Sequence, residues 1–463
     1  MKVWKESIRL KKRNFFPLEL EKKVREIVQE VRQKGDRALK EFTRRFDGVE
    51  LNSFEIKKEE IEESSNLLRE EEKYAIEELK KRIEDFSLQE KRNLTPYLCG
   101  GKNIQLGKIF VPLNRIGVYV PGGKVPLPSS LLMASIPARV AGVKEIVVTT
   151  PPQKTQRVHP SILYAAKISE VETIYTIGGA QAISALAFGT ESISRVEKIV
   201  GPGNIYVTLA KRIVFGEVGI DMLAGPSEVL VIADEEMPKE WVKFDLLSQL
   251  EHGIDSLSIL VTTSNTLASW IVEEMEQLEG DIKKAWERGG GVYEVENLEE
   301  AISLANDIAP EHLILGVNEA EIWLKKIKKA GTVFLGYLSP VCAGDFGVGV
   351  NHILPTGGSA SFSSPLGVKD FMKETQKTVW EGLSYLYSEV EKMGLEYVPS
   401  EANFFLIRVN RDAKEIYEAM LRKGVIVRAM NAYGLPDYIR VNVGKPEENE
   451  RFVSAFREVM GLA

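Results

Sequence analysis

The chain of 463 residues is long enough to bury the cores of two or three domains, and its 44% hydrophobic and 27% charged residues are ordinary for a soluble globular protein. A formal net charge of −7 argues against a nucleic-acid partner, and no run of about 18 apolar residues marks a membrane span. The two cysteines, Cys99 and Cys342, lie far apart without a CxxC pattern, and the basic start MKVWKESIRLKKRNFF does not read as a secretory leader, so the expectation is a cytoplasmic protein without a disulfide framework.

Residues 18–92 carry apolar side chains at helical spacing in a charged background, as in LELEKKVREIVQEVRQKGD. This predicts two to four surface helices punctuated at Gly35 and Gly48. From residue 115 the texture changes. RIGVYVPGG predicts a short strand entering a Pro-Gly-Gly turn, and SSLLMASIPARVAG a helix capped by Ser129 or Ser130. EIVVTTPP, ETIYTIGGA and EKIVGPG follow as strands, alternating with helices over ILYAAKI, QAISALAFG and NIYVTLAKRIVFG. The pattern then repeats with strands SEVLVIAD, LSILVTT and GVYEV. Its helices are KEWVKFDLLSQLEHG, one long charged helix after LSILVTT, and LEEAISLANDI. This alternation predicts an α/β protein with two doubly wound Rossmann-like units and an N-terminal helical segment. Residues 1–115 and 227–372 would form one unit, with 116–226 inserted as the other. An amphipathic helix at 379–393, then FFLIRV, AKEIYEAMLRKG, YIRVNVG and EENERFVSAFREVM, predicts a small α+β domain over 373–463, its helices against an antiparallel sheet.

In doubly wound sheets ligands bind at the carboxyl ends of the strands. Three glycine turns fall there: PGG at 121–123, GGAQ at 178–181 and GPGN at 201–204. They suit a phosphate-bearing cofactor, since glycine admits close backbone approach and a helix N-terminus favours an anion. They are equally readable as ordinary tight turns. The dinucleotide fingerprint GxGxxG is absent, because Tyr206 stands where the third glycine belongs. Asp221 falls about 20 residues further on, where a ribose-binding acid would be, and that spacing reads as coincidence.

The histidines are His159, His252, His312 and His352. In SQLEHG, Gln249 and His252 share a helix face, either as a pair of metal ligands or as a helix end whose carbonyls the imidazole satisfies. APEHL sets Glu311 beside His312, and both reach one substrate only from a turn or a helix start, where Pro310 is tolerated. Such a pair suits proton transfer. AGDFGVGVNHILPTGG adds Asp345 and His352 in a glycine-rich loop, where Asp345 is a ligand or a turn cap. Gln249, His252 and Asp345 together offer nitrogen and oxygen donors for a zinc-like ion. His159, beside Pro160, reads as a solvated loop residue.

GVYVPGG, PSSLLMASIPARVAGV, GGAQAISALAFGTES, GPGN, AGPSEVLVIAD, DLLSQLEHG, APEHL and GDFGVGVNHILPT, in this order, resemble histidinol dehydrogenases over residues 1 to about 372. The resemblance implies oxidation of L-histidinol to L-histidine through the aldehyde, two successive NAD-dependent steps, a Zn2+ ion holding the substrate, and a homodimer. It implies zinc ligands at Gln249, His252 and Asp345, and substrate contacts at those residues and at Ser227 and His312. NAD contacts would be Tyr119, Gln181 and Asn204. His312 would take the alcohol proton as hydride leaves, and Glu311 would activate water for the second step. His352 matches a family histidine that is either a site residue or a loop brace.

From about Glu374 the sequence instead resembles the C-terminal small domain of histidinol-phosphate aminotransferases, through SEANFF and YIRVNVG. Arg440 stands at the arginine that holds the substrate's anionic group there. The dehydrogenase family's helical tail, whose histidine is the fourth zinc ligand and reaches the partner subunit's site, has no counterpart, since no histidine follows His352. The expectation is a joined gene product with weakened zinc and impaired turnover. The alternative is a non-catalytic NAD- or partner-binding subunit of the same pathway.

Overall fold

The computed structural model describes residues 16–101, 104–122, 125–153, 158–374, 376–400 and 403–462. The chain divides into two compact units, Met1–Leu94 with Pro112–Phe371, and Thr95–Val111 with Met372–Ala463.

The first unit holds two five-stranded parallel sheets with the same winding. Across the first lie Thr173–Tyr175, Glu145–Thr149, Arg115–Tyr119, Lys198–Val200 and Gly219–Ile220. Across the second lie Gly290–Glu294, Leu257–Thr262, Glu228–Ala233, His312–Gly316 and Thr332–Leu335. In each, the chain starts at the middle strand, steps to one edge, then returns to fill the other side. The reversal leaves a crevice at the carboxyl ends of the two central strands, where ligands bind in such folds. The unbroken apolar runs EIVVT, EVLVIA and LSILVT follow from burial on both faces, which a parallel sheet flanked by helices imposes.

Helices lie between successive strands, and several register differently from the sequence reading. Pro128 occupies the first turn of Pro128–Ala141, and Leu127, not Ser129 or Ser130, stands at the cap position without a side-chain bond. Both serines are instead buried inside the first turn. The long charged helix is two helices, Asn265–Glu276 and Gly280–Gly289, broken where Gly280 takes φ +66°. His159 caps Pro160–Ile168, its Nδ1 accepting from the Ser161 N–H at 3.2 Å, so it is a capping residue and not a solvated one. The N-terminal helix Leu18–Lys34 is more than surface cover. Its Val24, Ile27, Val28 and Val31 pack into one core with Ile183 and Leu186 of Gly179–Phe188.

The second unit carries a four-stranded antiparallel sheet in the order Tyr397–Val398, Phe404–Arg408, Tyr438–Asn442, Arg428–Ala429. Burial alternates along Phe404–Arg408 and Tyr438–Asn442, as one covered face requires. That face packs Phe405, Ile407, Ile439 and Val441 against Leu386, Ile416 and Phe456 of the helices Gln376–Lys392, Ala413–Arg422 and Pro446–Met460. This is the small α+β fold expected of the C-terminal residues. Among the described residues no helix is long and apolar enough to cross a membrane.

Candidate active site

Glu311 and His312 converge on the backbone of one residue. The Glu228 N–H donates to Glu311 Oε2 at 2.8 Å, and His312 Nδ1 lies 3.0 Å from the Glu228 carbonyl oxygen. His312 does not sit at a helix start. It opens the strand His312–Gly316, while Ala309, at φ +51°, ends the preceding helix in the left-handed region and Pro310–Glu311 forms the turn between. Both side chains are buried, with His312 Nδ1 and Glu311 Oε2 3.7 Å apart. Burial pushes the Glu311 carboxyl up to about 7, against the pull of His312. Burial also opposes charge on His312, but Glu311 and Asp345 outweigh it and the imidazole is pushed up to about 9. With Nδ1–H donated to a carbonyl, Nε2 is left as the reacting nitrogen. It has no hydrogen-bond partner among the described residues and stands 3.6 Å from Asp345 Oδ1, too far for a good bond.

Asp345 is in the short helix Val341–Phe346, not in a loop as the glycines around it suggested. His352, in the loop beyond, is braced by Ser130 Oγ at 3.2 Å from its Nε2 and by the Asp345 carbonyl at 3.2 Å from its Nδ1. Burial holds this imidazole below its ordinary range. His252 satisfies a helix carbonyl, its Nδ1 lying 3.3 Å from Ser248 O, and that leaves Nε2 with a free lone pair. A cleft of about 190 Å³ is lined by Ser227, His252, Glu311, His312, Asp345 and His352 together with Gly201, Pro202 and Gly203. Gln249 is not among the lining residues; it lies one turn before His252, is only 1% exposed, and neither its Oε1 nor its Nε2 has a partner among the described residues. Burying a primary amide with both ends unsatisfied costs about 1–3 kcal/mol, unless something absent from the polypeptide completes it. Among the described residues no three His, Cys, Asp or Glu side chains gather as a metal set. The three expected ligands are chemically mixed: the His252 imidazole and the Asp345 carboxylate line the cleft, and the Gln249 amide is orphaned among the described residues.

The expected cofactor residues divide. Tyr119 and Gln181 meet at Gly179, whose N–H donates to the Tyr119 hydroxyl at 3.1 Å, and Gln181 folds back over the same glycine. Burial pushes the Tyr119 phenol up to about 12. Neither residue lines the cleft. Asn204 spends its side-chain oxygen as a helix cap, accepting from Tyr206 N–H at 3.0 Å and Val207 N–H at 3.2 Å. It lines an adjoining, wider cleft of about 840 Å³ with Gly203, Gly225, Ser227, His252 and Arg288. Of the three glycine turns, Gly123 falls outside the described residues. Gly201 is required as glycine: its φ is +112°, and a Cβ would collide with the Tyr119 carbonyl oxygen. Gly201→Ala is expected to destabilise the fold by about 1–3 kcal/mol or more, seen as a lowered thermal-unfolding midpoint.

Two residues near the site escaped the sequence reading. Lys211 lines the cleft and is buried, and the signal was available: it lies four residues after Val207 and three before Val214, on the face those two valines bury. Asp245 lies one turn before Gln249 on the helix Lys239–Leu250, and burial alone pushes its carboxyl up to about 7. A carboxyl whose folded pKa exceeds its unfolded value stabilises the fold less as pH rises from the ordinary carboxylate range through about 7. Asp245→Asn should therefore gain on the order of 1–3 kcal/mol at pH 8 and little at pH 4, as denaturant titrations at the two pH values would show.

Two parallel sheets, with a buried Glu–His pair at the amino ends of the second sheet's central strands and the Gly201 turn at a carboxyl end of the first, define an α/β enzyme whose site is equipped to move protons. A family model for histidinol dehydrogenase matches residues 11–397, and one for aminotransferases of class I and II matches residues 348–456. The chain belongs to the histidinol dehydrogenase family, an oxidoreductase family of histidine biosynthesis, and carries an aminotransferase-like C-terminal fragment. It is 47% identical over 368 residues to histidinol dehydrogenase of Bacillus cereus, covering 78% of this chain and 85% of the relative. To that of Aquifex aeolicus it is 45% identical over 411 residues, or 86% of this chain and 92% of the relative. The crystal structure of histidinol dehydrogenase from Elizabethkingia anophelis superposes with a TM-score of 0.75 at 35% identity, covering 85% of this chain and 95% of that one.

Proposed function

We propose that the first unit oxidises L-histidinol to L-histidine in two successive NAD-dependent steps, with zinc at Gln249, His252 and Asp345 and with turnover impaired by the exchanged C-terminal residues. The observation that carries this is the fixed His312 imidazole, with Nδ1 on the Glu228 carbonyl and Nε2 without a hydrogen-bond partner among the described residues, in a cleft that also holds Glu311, Asp345 and His252. When bound, zinc would hold the substrate's amine and imidazole, and NAD would accept hydride. The neutral form of His312, which the shift to about 9 makes the minor form at neutral pH, takes the proton of the carbinol at Nε2 as that hydride leaves, giving the aldehyde. Glu311, buried and poised near neutrality, takes a proton from water as the water adds to the aldehyde. The hydrate then loses a second hydride and a proton and leaves as the carboxylate. Ser227 and the Glu228 peptide hold Glu311 in place. Residues 1–115 and 227–372 act as the metal and substrate side and 116–226 as the cofactor side, through Tyr119, Gln181 and Asn204. The protein works as a cytoplasmic homodimer.

The dehydrogenase resemblance gives way to an aminotransferase-like stretch that holds no histidine, so the fourth ligand a family tail would bring is missing from this chain. The same observation supports a second reading, a subunit of a fused gene that binds NAD or a pathway partner without turning over. Metal analysis of the purified chain, with NADH formation from L-histidinol, separates the two. Retained zinc with two NADH per histidinol supports the enzyme, and metal-free protein that binds NADH without turnover supports the subunit.

A further inference from the structure

The GPGN turn is held by a buried charge pair that neither the motif nor the mechanism accounts for. Lys211 Nζ donates to the Gly201 carbonyl oxygen at 2.5 Å and to Asp221 Oδ1 at 2.7 Å. Asp221 Oδ2 accepts from the Gly201 N–H at 2.8 Å, and Oδ1 from the Met222 N–H at 2.7 Å. Both backbone polar groups of one glycine therefore end on a single ion pair, whose side chains are 4% and 1% exposed. The residue so gripped is the one that cannot carry a side chain, because it packs on the Tyr119 carbonyl. Downstream, the turn runs into the helix that Asn204 caps. Past Asp221, the chain runs through Met222–Gly225 to Ser227 along the cleft wall.

A buried ion pair is weak evidence for stability, since apolar residues of similar volume usually serve the fold as well. Its use here points to geometry. We propose that Lys211 and Asp221 are positioning residues for a pyridine dinucleotide: by clamping Gly201 at both N–H and C=O, they fix the 201–204 turn as a preformed cradle beside Glu311 and His312. This rests on the reading that the glycine turns take NAD, and it gives Asp221 a role other than the ribose contact its spacing mimicked. With the clamp gone the turn samples other conformations, and the dinucleotide must order it on binding.

The test uses the full chain and NADH fluorescence titration, with thermal unfolding in parallel. Lys211→Met keeps the stem and removes the donor, Asp221→Asn keeps the shape and removes the charge, and the double variant leaves no lone buried charge. We expect NADH Kd to rise at least tenfold in Lys211→Met and in the double variant, and at least threefold in Asp221→Asn. If Lys211→Met fails to fold, Asp221→Asn and the double variant carry the test. If turnover is measurable, KM for NAD should rise by the same factors while kcat changes less than threefold, a split that general loss of folded protein does not produce. NADH affinity within twofold of the unaltered chain in the folded variants overturns the inference alone. No NADH binding by the unaltered chain overturns the dinucleotide reading and the inference with it.

Discussion

Replacing His312 with glutamine is expected to lower the rate of L-histidinol oxidation by roughly 10²–10⁴-fold, the range that general acid–base groups supply. Glutamine has about the right size and can still donate to the Glu228 carbonyl, but its amide cannot hold a proton at the position of Nε2. The loss should therefore fall on kcat more than on substrate KM. Glu311→Gln makes a sharper distinction. Its remaining oxygen can still accept from the Glu228 N–H, so the turn should survive, while the base that activates water is gone. The first oxidation should then outrun the second, the aldehyde should accumulate, and the NADH formed per histidinol should fall from two toward one. A ratio that stays at two, with a rate within threefold, would remove Glu311 from the second step.

Seven of the ten strands of the two parallel sheets were readable as short apolar runs between turn residues and amphipathic helices, a pattern that burial on two faces requires, while Gly219–Ile220, His312–Gly316 and Thr332–Leu335 were not read. What escaped the reading depended on contacts between segments distant in sequence. The glycines around Asp345 suggested a loop. In the fold, Gly344 lies in a helix, where a Cβ would stand 2.7 Å from the Phe334 ring, so that glycine serves close packing and not flexibility. Ser129 and Ser130 looked like caps because capping chemistry is local, yet Pro128 starts the helix and leaves Ser130 free to brace His352, 222 residues away. The Glu–His pair was legible as a pair, but its anchor was not: nothing in APEHL announces that both side chains end on the Glu228 peptide. Lys211 was hidden for the opposite reason, since a lone lysine in an apolar helix is easily taken for a solvated side chain that snorkels outward.

Gln249→Leu is expected to change the sign of its effect with metal, and this bears most directly on what the exchanged C-terminal residues cost. Without metal, the wild-type amide is buried with both polar ends unsatisfied among the described residues, so an apolar side chain of similar volume should stabilise the protein by about 1–3 kcal/mol. With zinc at about a hundred times its Kd, the unaltered chain should gain about 2.7 kcal/mol by mass action, while Gln249→Leu gains little because a ligand is gone. Thermal-unfolding midpoints would then cross, the variant higher in chelator and lower in zinc. In the proposed zinc site Gln249 would supply a neutral donor, His252 a second, and Asp345 the sole charge, leaving it short of a fourth ligand. Zinc should bind more weakly than in a relative that keeps its tail histidine, by at least about 10–100-fold, the cost of losing even an outer partner. Competition with a chelator of known affinity, run beside a histidinol dehydrogenase whose C-terminal tail carries that histidine, measures that gap. Equal affinities would mean that another donor completes the coordination. A variant that lost stability in chelator would mean that the Gln249 amide is satisfied by the protein itself, and the case for a metal at this helix would fall with it.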